Sequence, residues 1–378
     1  MFIDLSKLHL KQKYFHIRNR LKYIRLKNSK RKEIWDIYVK NPSLLKFNLS
    51  DDLRDKIAVF WKKYGFKVNT LWHRAYIQIN GIEDHRYIPE DIFYAFIEPG
   101  LNRKDLYHAY VDKNNYDRLF SGVRMPKVII RNISGKYYDG NYEGIARATV
   151  CDFLKIFEGQ YYIVKPSLQS SGGKNVMKLH IHSKKLFIDD QYTTLEDIEK
   201  IIPRDFLVQE YLEQHAMLKN IYPFSVNTMR IVTLRIHNDI HVIQVILKFG
   251  NHGAYVDNET PGGINCRVDN EGMLGKFAVD RYFFKYYKHP YTGSSFENMQ
   301  IPQFTVALNF VKNLHRNLFY FDMASWDVAV DKDGAPVLIE LNLMYQGLTF
   351  LQVHNGPLFG DFTERILDEK LGCRNRLQ

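Results

Sequence analysis

The sequence predicts an α+β chain, and three observations carry that reading. The stretches MRIVTLRIHN and DIHVIQVILKFGN are rich in β-branched residues and meet at Asn238-Asp239, the pattern of a long hairpin. DVAVD and VLIELNL flank Asp331-Lys332-Asp333-Gly334, a second hairpin with turn residues at its tip. Helical periodicity appears in TTLEDIEKII and in FTVALNFVKNLHRNL, between the strands. Hairpins interleaved with helices point to α+β rather than to an alternating parallel fold. At 378 residues, 45% hydrophobic and 25% charged, the chain is globular and long enough for two or three subdomains.

Residues 1–44 read as a basic amphipathic arm. Residues 1–32 carry eleven Lys and Arg against one acid, so +10 of the formal +11 lies there and the body is nearly neutral. Leu5, Leu8, Phe15, Leu21 and Ile24 recur at roughly helical spacing. Two readings stand side by side: peripheral association of residues 1–32 with an anionic membrane or lipid-linked glycan, or packing on the body with a solvated basic side. Nucleic acid is disfavoured, because the body offers no basic stripe to extend the footprint. No apolar run approaches the ~18 residues of a membrane span, and the N-terminus lacks a signal peptide's apolar centre. Cys151, Cys266 and Cys373 are far apart and show no redox or metal spacing. The expected location is therefore the cytoplasm, at the inner membrane face if the arm binds there. No H-x-x-x-H pair stands beside a glutamate, which disfavours a zinc hydrolase.

Residues 45–125 read as a mixed α/β region. DDLRDKIAVFWKKYG is helix-like, and Pro89, Pro99 and Gly100 break the later aromatic stretch into short pieces. Residues 126–215 form a small subdomain with strands KVIIRN, YYIVKPS, VMKLHIHS and FLVQEYL. Its helix TTLEDIEKII starts with a capping box in which Thr193 faces Glu196. Residues 216–378 form the larger subdomain, whose sheet includes both hairpins.

Three constellations bear chemistry. If residues 331–336 form the loop of the second hairpin, Val330 pairs with Val337 and Asp327 falls opposite Glu340, on the face that carries Asn342. Ile339, Leu341 and Leu343 then share the other face. Two carboxylates ~5 Å apart repel unless a cation lies between them. With an amide oxygen they form the hard-oxygen set that suits Mg²⁺. A neutralising lysine or arginine, or an edge hairpin with both acids in water, fits the same residues. The second constellation is YYIVKPSLQSSGGKNV, where Lys165 ends an apolar strand ahead of Ser170, Ser171, Gly172, Gly173 and Lys174. Small residues let backbone N–H groups close on phosphate oxygens. The loop leads to a strand, so it is neither a Walker A loop nor a Rossmann turn, and a plain flexible hairpin reads alike. The third is FLVQEYLEQH, where a strand end offers backbone groups to an adenine edge; an ordinary strand end with exposed acids is the stronger reading of that stretch alone.

In this order, Lys-Pro with a glycine loop, a Glu-rich hinge, then Asp…Glu-x-Asn, the constellations resemble the ATP-grasp superfamily, whose two α+β subdomains clamp ATP. The spacings of 13 residues from Asp327 to Glu340 and two to Asn342 are similar to the metal-binding pattern of D-alanine–D-alanine ligases. RYIPEDIF, AYVDKNNYDRLF, MPKVIIRNISGKYYD, SVNTMRIVTLR, VDNETPGGINCRVDNEG and LQVHNGPLFGDF resemble more narrowly the sugar-transfer-associated ATP-grasp group of bacterial polysaccharide genes, over roughly residues 45–370.

The resemblance implies roles. Lys113 and Lys165 would hold the nucleotide, Lys165 at the α/β-phosphates. Ser170 to Lys174 would close over the phosphates. Gln209, Glu210 and Leu212 would meet adenine, and Glu213 the ribose. Asp327, Glu340 and Asn342 would hold two Mg²⁺ ions. Lys165 and Arg230 would serve catalysis; Arg230 and Arg235 face opposite ways along a strand, so one of the two, not both, would contact phosphate or acyl phosphate. The implied reaction is ATP-dependent carboxylate–amine ligation through an acyl phosphate, joining an amine acceptor to a uronic-acid-type carboxylate on a small molecule or glycan. A ligase making a peptide-like metabolite and a non-catalytic nucleotide-binding scaffold are the alternatives. Two departures from the D-alanine ligase pattern fall where the acceptor would sit. Ser325 stands where an arginine is usual, and Met344-Tyr345-Gln346-Gly347 replaces Pro-Gly.

Overall fold

A computed structural model describes residues 5–168, 171–258 and 260–372, with side chains from Leu21 onward apart from Lys22 and Ser171. The chain forms two compact units. One is the N-terminal part through Asn102 with the C-terminal part from Gly347, and the other is Arg103–Gln346.

The first unit is helical. Its longest element is Leu5–Lys40, which buries Ile34, Ile37 and Tyr38 at i, i+3 and i+4. The face predicted to be apolar behaves differently. Leu21 and Ile24 are 53% and 44% exposed, and the side chains of Leu5, Leu8 and Phe15 lie outside the described residues. Helix Asp51–Lys63 is capped by Ser50, whose Oγ accepts from the Leu53 N–H at 3.2 Å, and carries Asp51 and Asp52 in its positive first turn.

The prediction of mixed helix and strand over 45–125 does not hold: among the described residues this stretch forms helices and turns and contributes no strand. The reason lies in its apolar spacing. Ile88, Ile92, Phe93, Ile97 and Leu101 are all buried, and their steps of four, one, four and four follow a helical face rather than a pleat. The prolines open helical turns here instead of breaking them. Pro89 is the N-cap of Glu90–Ile92, and Pro99 lies in the first turn of Glu98–Leu101.

The second unit holds two antiparallel sheets. The first contains β1 (Val128–Ile133), β2 (Lys136–Asp139), β3 (Gly144–Ile145), β4 (Tyr161–Pro166), β5 (Met177–His182), β6 (Lys185–Ile188), β7 (Gln191–Thr193) and β8 (Phe206–Glu210), in the order β3-β2-β1-β8-β4-β5-β6-β7. Helices Val150–Lys155 and Leu195–Ile201 close its core through Val150, Leu154, Leu195 and Ile198. The capping box falls one residue later than predicted, on Thr194 and Asp197, because Thr193 is already committed to β7.

The second sheet contains β9 (Met229–Ile236), β10 (Asp239–Phe249), β11 (Ile264–Val268), β12 (Leu274–Val279), β13 (Lys285–Tyr286), β14 (Met323–Val330) and β15 (Pro336–Asn342). Their order is β13-β12-β11-β10-β9-β14-β15. Helix Phe304–His315 lays Phe304, Ala307, Val311 and Leu314 on a core that includes Ile231, Trp326, Val328 and Leu341.

The β14–β15 register repays attention because it sets the site. Val330 pairs with Pro336, not Val337, yet Asp327 still lies opposite Glu340. The loop is one residue shorter than predicted, and a bulge at Ile339 restores the offset. A bulge places two residues against one, so it also shifts the alternation. Leu338, Leu341 and Leu343 therefore enter the core, while Ile339 joins Glu340 on the cleft side, contrary to the predicted sharing of faces.

Candidate active site

A cleft open to solvent lies within the second unit. The seven-stranded sheet supplies one wall. Asp327 on β14 stands opposite Arg230 on β9 as well as Glu340 on β15. Arg230 grips it with both ends of its guanidinium, Nε to Oδ1 at 2.9 Å and Nη2 to Oδ2 at 2.8 Å. Lys248 on β10 donates to Asp327 Oδ2 at 3.1 Å and to Asp257 Oδ1 at 3.3 Å. Asp257 is fixed in turn by the Thr228 N–H and hydroxyl. Burial opposes ionisation of Asp327, but Arg230 and Lys248 outweigh it and hold the carboxyl well below its usual range. Burial likewise pushes Lys248 down, and Asp257 and Asp327 more than restore it. Asp257 is the exception: its burial outweighs Lys248 and raises its pKa.

Glu340 has a separate partner. Lys113, buried in the turn Lys113–Asn115, donates to its Oε1 at 2.7 Å. Burial raises the Glu340 pKa and the Lys113 charge more than cancels that, leaving it lowered.

The eight-stranded sheet supplies the other wall. Lys165, near the end of β4, is buried and has no ion-pair or hydrogen-bond partner among the described residues. Burial, helped by repulsion from Lys113, pushes its pKa down to about 7. The following turn, Ser171–Gly173, carries Gly172 and Gly173 at φ of 72° and 70°, the left-handed region. It packs so closely on Val256, Asn258 and Thr260 that a Cβ at Gly173 would stand 2.5 Å from Asn258 Oδ1. Gly173 lines the cleft, Lys174 is exposed beside it, and Ser170 and the Ser171 side chain lie outside the described residues.

Gln209, Glu210, Tyr211 and Leu212 line the cleft where β8 ends. The N–H groups of Glu210 and Tyr211 are engaged by the carbonyls of Lys127 and Tyr161. Glu213 is exposed and lies outside the lining residues, its carbonyl taken by the Lys332 N–H. Of the two arginines, Arg230 reaches Asp327, whereas Arg235 donates to the carbonyls of His315 and Leu318.

Sequence reasoning missed Lys248 and Asp257. Lys248 carries the same signal as Glu340, a single charge inside an apolar strand run, in VILKFG. Asp257 lies in VDNETPGG, a loop with no local pattern to mark it.

A family model described as sugar-transfer associated ATP-grasp matches residues 95–366. The chain belongs to that family. No curated protein matches it. Among solved structures it is similar to the L-amino acid ligase from Bacillus licheniformis, at 14% identity and a TM-score of 0.37, over 69% of this chain and 47% of that one. It is also similar to the ATP-grasp ligase PsnB complexed with a phosphomimetic variant of its minimal precursor, Mg and ADP, at 15% identity and a TM-score of 0.39, over 71% and 61%. A third is N5-carboxyaminoimidazole synthetase from Staphylococcus aureus complexed with ADP, at 10% identity and a TM-score of 0.35, over 68% and 52%. The chain thus spans about half to three fifths of the length of these three.

In this ATP-grasp chain the two departures from the D-alanine ligase pattern meet each other. Ser325 Oγ donates to Gln346 Oε1 at 2.8 Å, and both side chains are fully buried. Met344 joins the core, so of that tail only Tyr345 is presented, 57% exposed, with the Lys104 ammonium 5.6 Å from its ring.

The donor set for a cation comprises the carboxylates of Asp327 and Glu340, which line the cleft, and the amide of Asn342 at the end of β15. Among the described residues no three His, Cys, Asp or Glu converge as a metal cluster, and Asn342 Nδ2 is buried without a partner. Half a turn of that amide presents oxygen instead. Two carboxylates and an amide fit the protein's share of a Mg²⁺ shell, whose other ligands are phosphate and water. The protein's own cations hold both carboxylates in this structure.

Proposed function

We propose that this chain is an ATP-dependent carboxylate–amine ligase, acting in bacterial surface polysaccharide biosynthesis on a uronic-acid-type carboxylate and an amino acid or other amine. One observation carries the reading: Lys165, a buried lysine with no ion-pair partner among the described residues, faces a cleft whose other lining cations, Lys113 and Lys248, are matched to carboxylates. A polyphosphate supplies the missing negative charge and a new partner for Lys113, leaving Glu340 to a metal ion.

Each residue then has a task. Lys165 and Lys113 neutralise phosphate oxygens, the Ser171–Gly173 turn closes over them, and the Gln209–Leu212 edge orients the base. Arg230, held by Asp327, presents its guanidinium where negative charge grows during transfer. Asp327, Glu340 and Asn342 would hold Mg²⁺, two ions by family resemblance, which supplies charge neutralisation at the β- and γ-phosphates. The γ-phosphoryl group passes to a substrate carboxylate oxygen and ADP leaves. The amine nitrogen attacks the acyl carbon, phosphate departs and the amine loses a proton. The reaction requires no covalent enzyme nucleophile. Because Ser325 and Gln346 satisfy each other, a small D-amino-acid pair is not the expected substrate.

The test is ADP release across uronic acids, nucleotide sugars and amino acids, with mass spectrometry of the product. A uronate-dependent amide that is lost in Asp327→Asn and Lys165→Met supports the reading. Stimulation by amino acids alone points instead to a peptide-like product. Turnover that survives both substitutions defeats the site assignment.

A further inference from the structure

The first unit contains a second concavity, an open groove, that the proposed chemistry does not use. Lys27, Arg31 and Trp35 stand at i, i+4 and i+8 on the long helix and form one wall; Lys67 and Trp72 belong to the other. Glu33 and Glu90 are matched to Lys30 at the frame, and Asp91, which lines the cavity, is hydrogen-bonded by a tyrosine. Tyr38 Oη donates to the Leu71 carbonyl at 3.0 Å, Lys30 pairs with Glu90 at 2.7 Å and Glu33 at 2.8 Å, and Tyr23 donates to Asp91 at 3.2 Å. Arg31 and Lys67 are exposed and have no ion-pair partner among the described residues. Between them the Trp35 indole is 45% exposed.

We propose that this groove binds an anionic saccharide, its ring stacked on Trp35 and its carboxylates held by Arg31 and Lys67. The proposal rests on the ligase reading for the choice of saccharide, since that reading already gives the nucleotide a site in the other unit. An indole beside unmatched cations suits a ligand with both an apolar face and negative groups. The groove is concave, as small-ligand sites are, whereas a helix lying on a membrane buries an apolar face in it. Of the cations within residues 1–32, Lys27, Lys30 and Arg31 line this groove.

The test is calorimetric titration of the full chain with a galacturonic acid trisaccharide, a neutral glucose trisaccharide, inorganic phosphate, and vesicles containing phosphatidylglycerol. The acidic trisaccharide should bind, and Arg31→Gln with Lys67→Gln should weaken it at least about tenfold, the scale of a charge-assisted hydrogen bond. Trp35→Ala should weaken it severalfold. All three side chains are exposed, so a fluorescent ATP analogue should bind these variants as it binds the parent. The proposal is overturned if the acidic trisaccharide fails to bind, or binds the double variant equally well. Equal binding of the neutral sugar or of bare phosphate, or binding to vesicles alone, also overturns it. Loss of ATP-analogue binding by the parent chain would defeat the ligase reading and leave the groove result standing.

Discussion

The two walls of the cleft handle buried charge in opposite ways. On the seven-stranded wall Arg230, Asp327, Lys248 and Asp257 form a continuous chain of opposite signs. On the eight-stranded wall Lys165 is buried with no ion-pair partner among the described residues, and the nearby Glu340 is already taken by Lys113. A matched buried network offsets its own desolvation and is costly to break, whereas a lone buried ammonium is held at a cost that an incoming anion removes. In the proposed function the first wall fixes the carboxylates that would hold the metal, and the second offers a site for the nucleotide's phosphates.

The largest expected effect comes from breaking the matched wall. Asp327→Ala removes the carboxylate that Arg230 and Lys248 share, leaving an imbalance of buried positive charge, and should cost roughly 3–5 kcal/mol in urea unfolding. Asp327→Asn keeps hydrogen-bonding capacity and should cost less. A loss under ~1 kcal/mol for the alanine variant would show that the network does not hold this wall together.

The lone lysine should appear in pH dependence. Its folded pKa, near 7, lies below its ordinary 10.5. Between these values the unfolded chain binds the proton and the native one does not, so this residue makes stability rise with pH, by up to about 1.4 kcal/mol per unit. Nucleotide binding should respond oppositely. Above pH 7 an anion must reprotonate Lys165, so affinity should fall up to about tenfold per unit. Lys165→Met should abolish both slopes; slopes that persist in the variant belong to another group.

Gly173→Ala is a milder perturbation of the same wall. Its left-handed φ and the close approach to Asn258 should cost about 1–2 kcal/mol. The loss should appear as weaker nucleotide binding with little change in the second sheet's hydrogen exchange. The smallest effect is expected for Ser325→Ala, about 1 kcal/mol from the lost bond to Gln346. A larger drop in turnover than in stability would tie that buried pair to the acceptor.

How legible this was differed between the walls. The facing of Asp327 and Glu340 could be read from alternation and a turn, although a short loop and a bulge had to compensate each other for the pairing to come out right. Lys165 and its glycines were visible as a strand end and a phosphate-sized loop. The helical character of 88–101 was hidden by its prolines, which sequence reasoning took for breaks.

By itself the sequence determined the α+β class, both hairpins and the candidate residues for each wall, because alternation and turn chemistry act over neighbouring residues. Only the tertiary structure decided which charges meet. Arg230 reaches Asp327 across 97 residues of chain, and Lys248 comes 79 residues to the same carboxylate. Such pairings depend on strand order within a sheet, and no local pattern encodes that order.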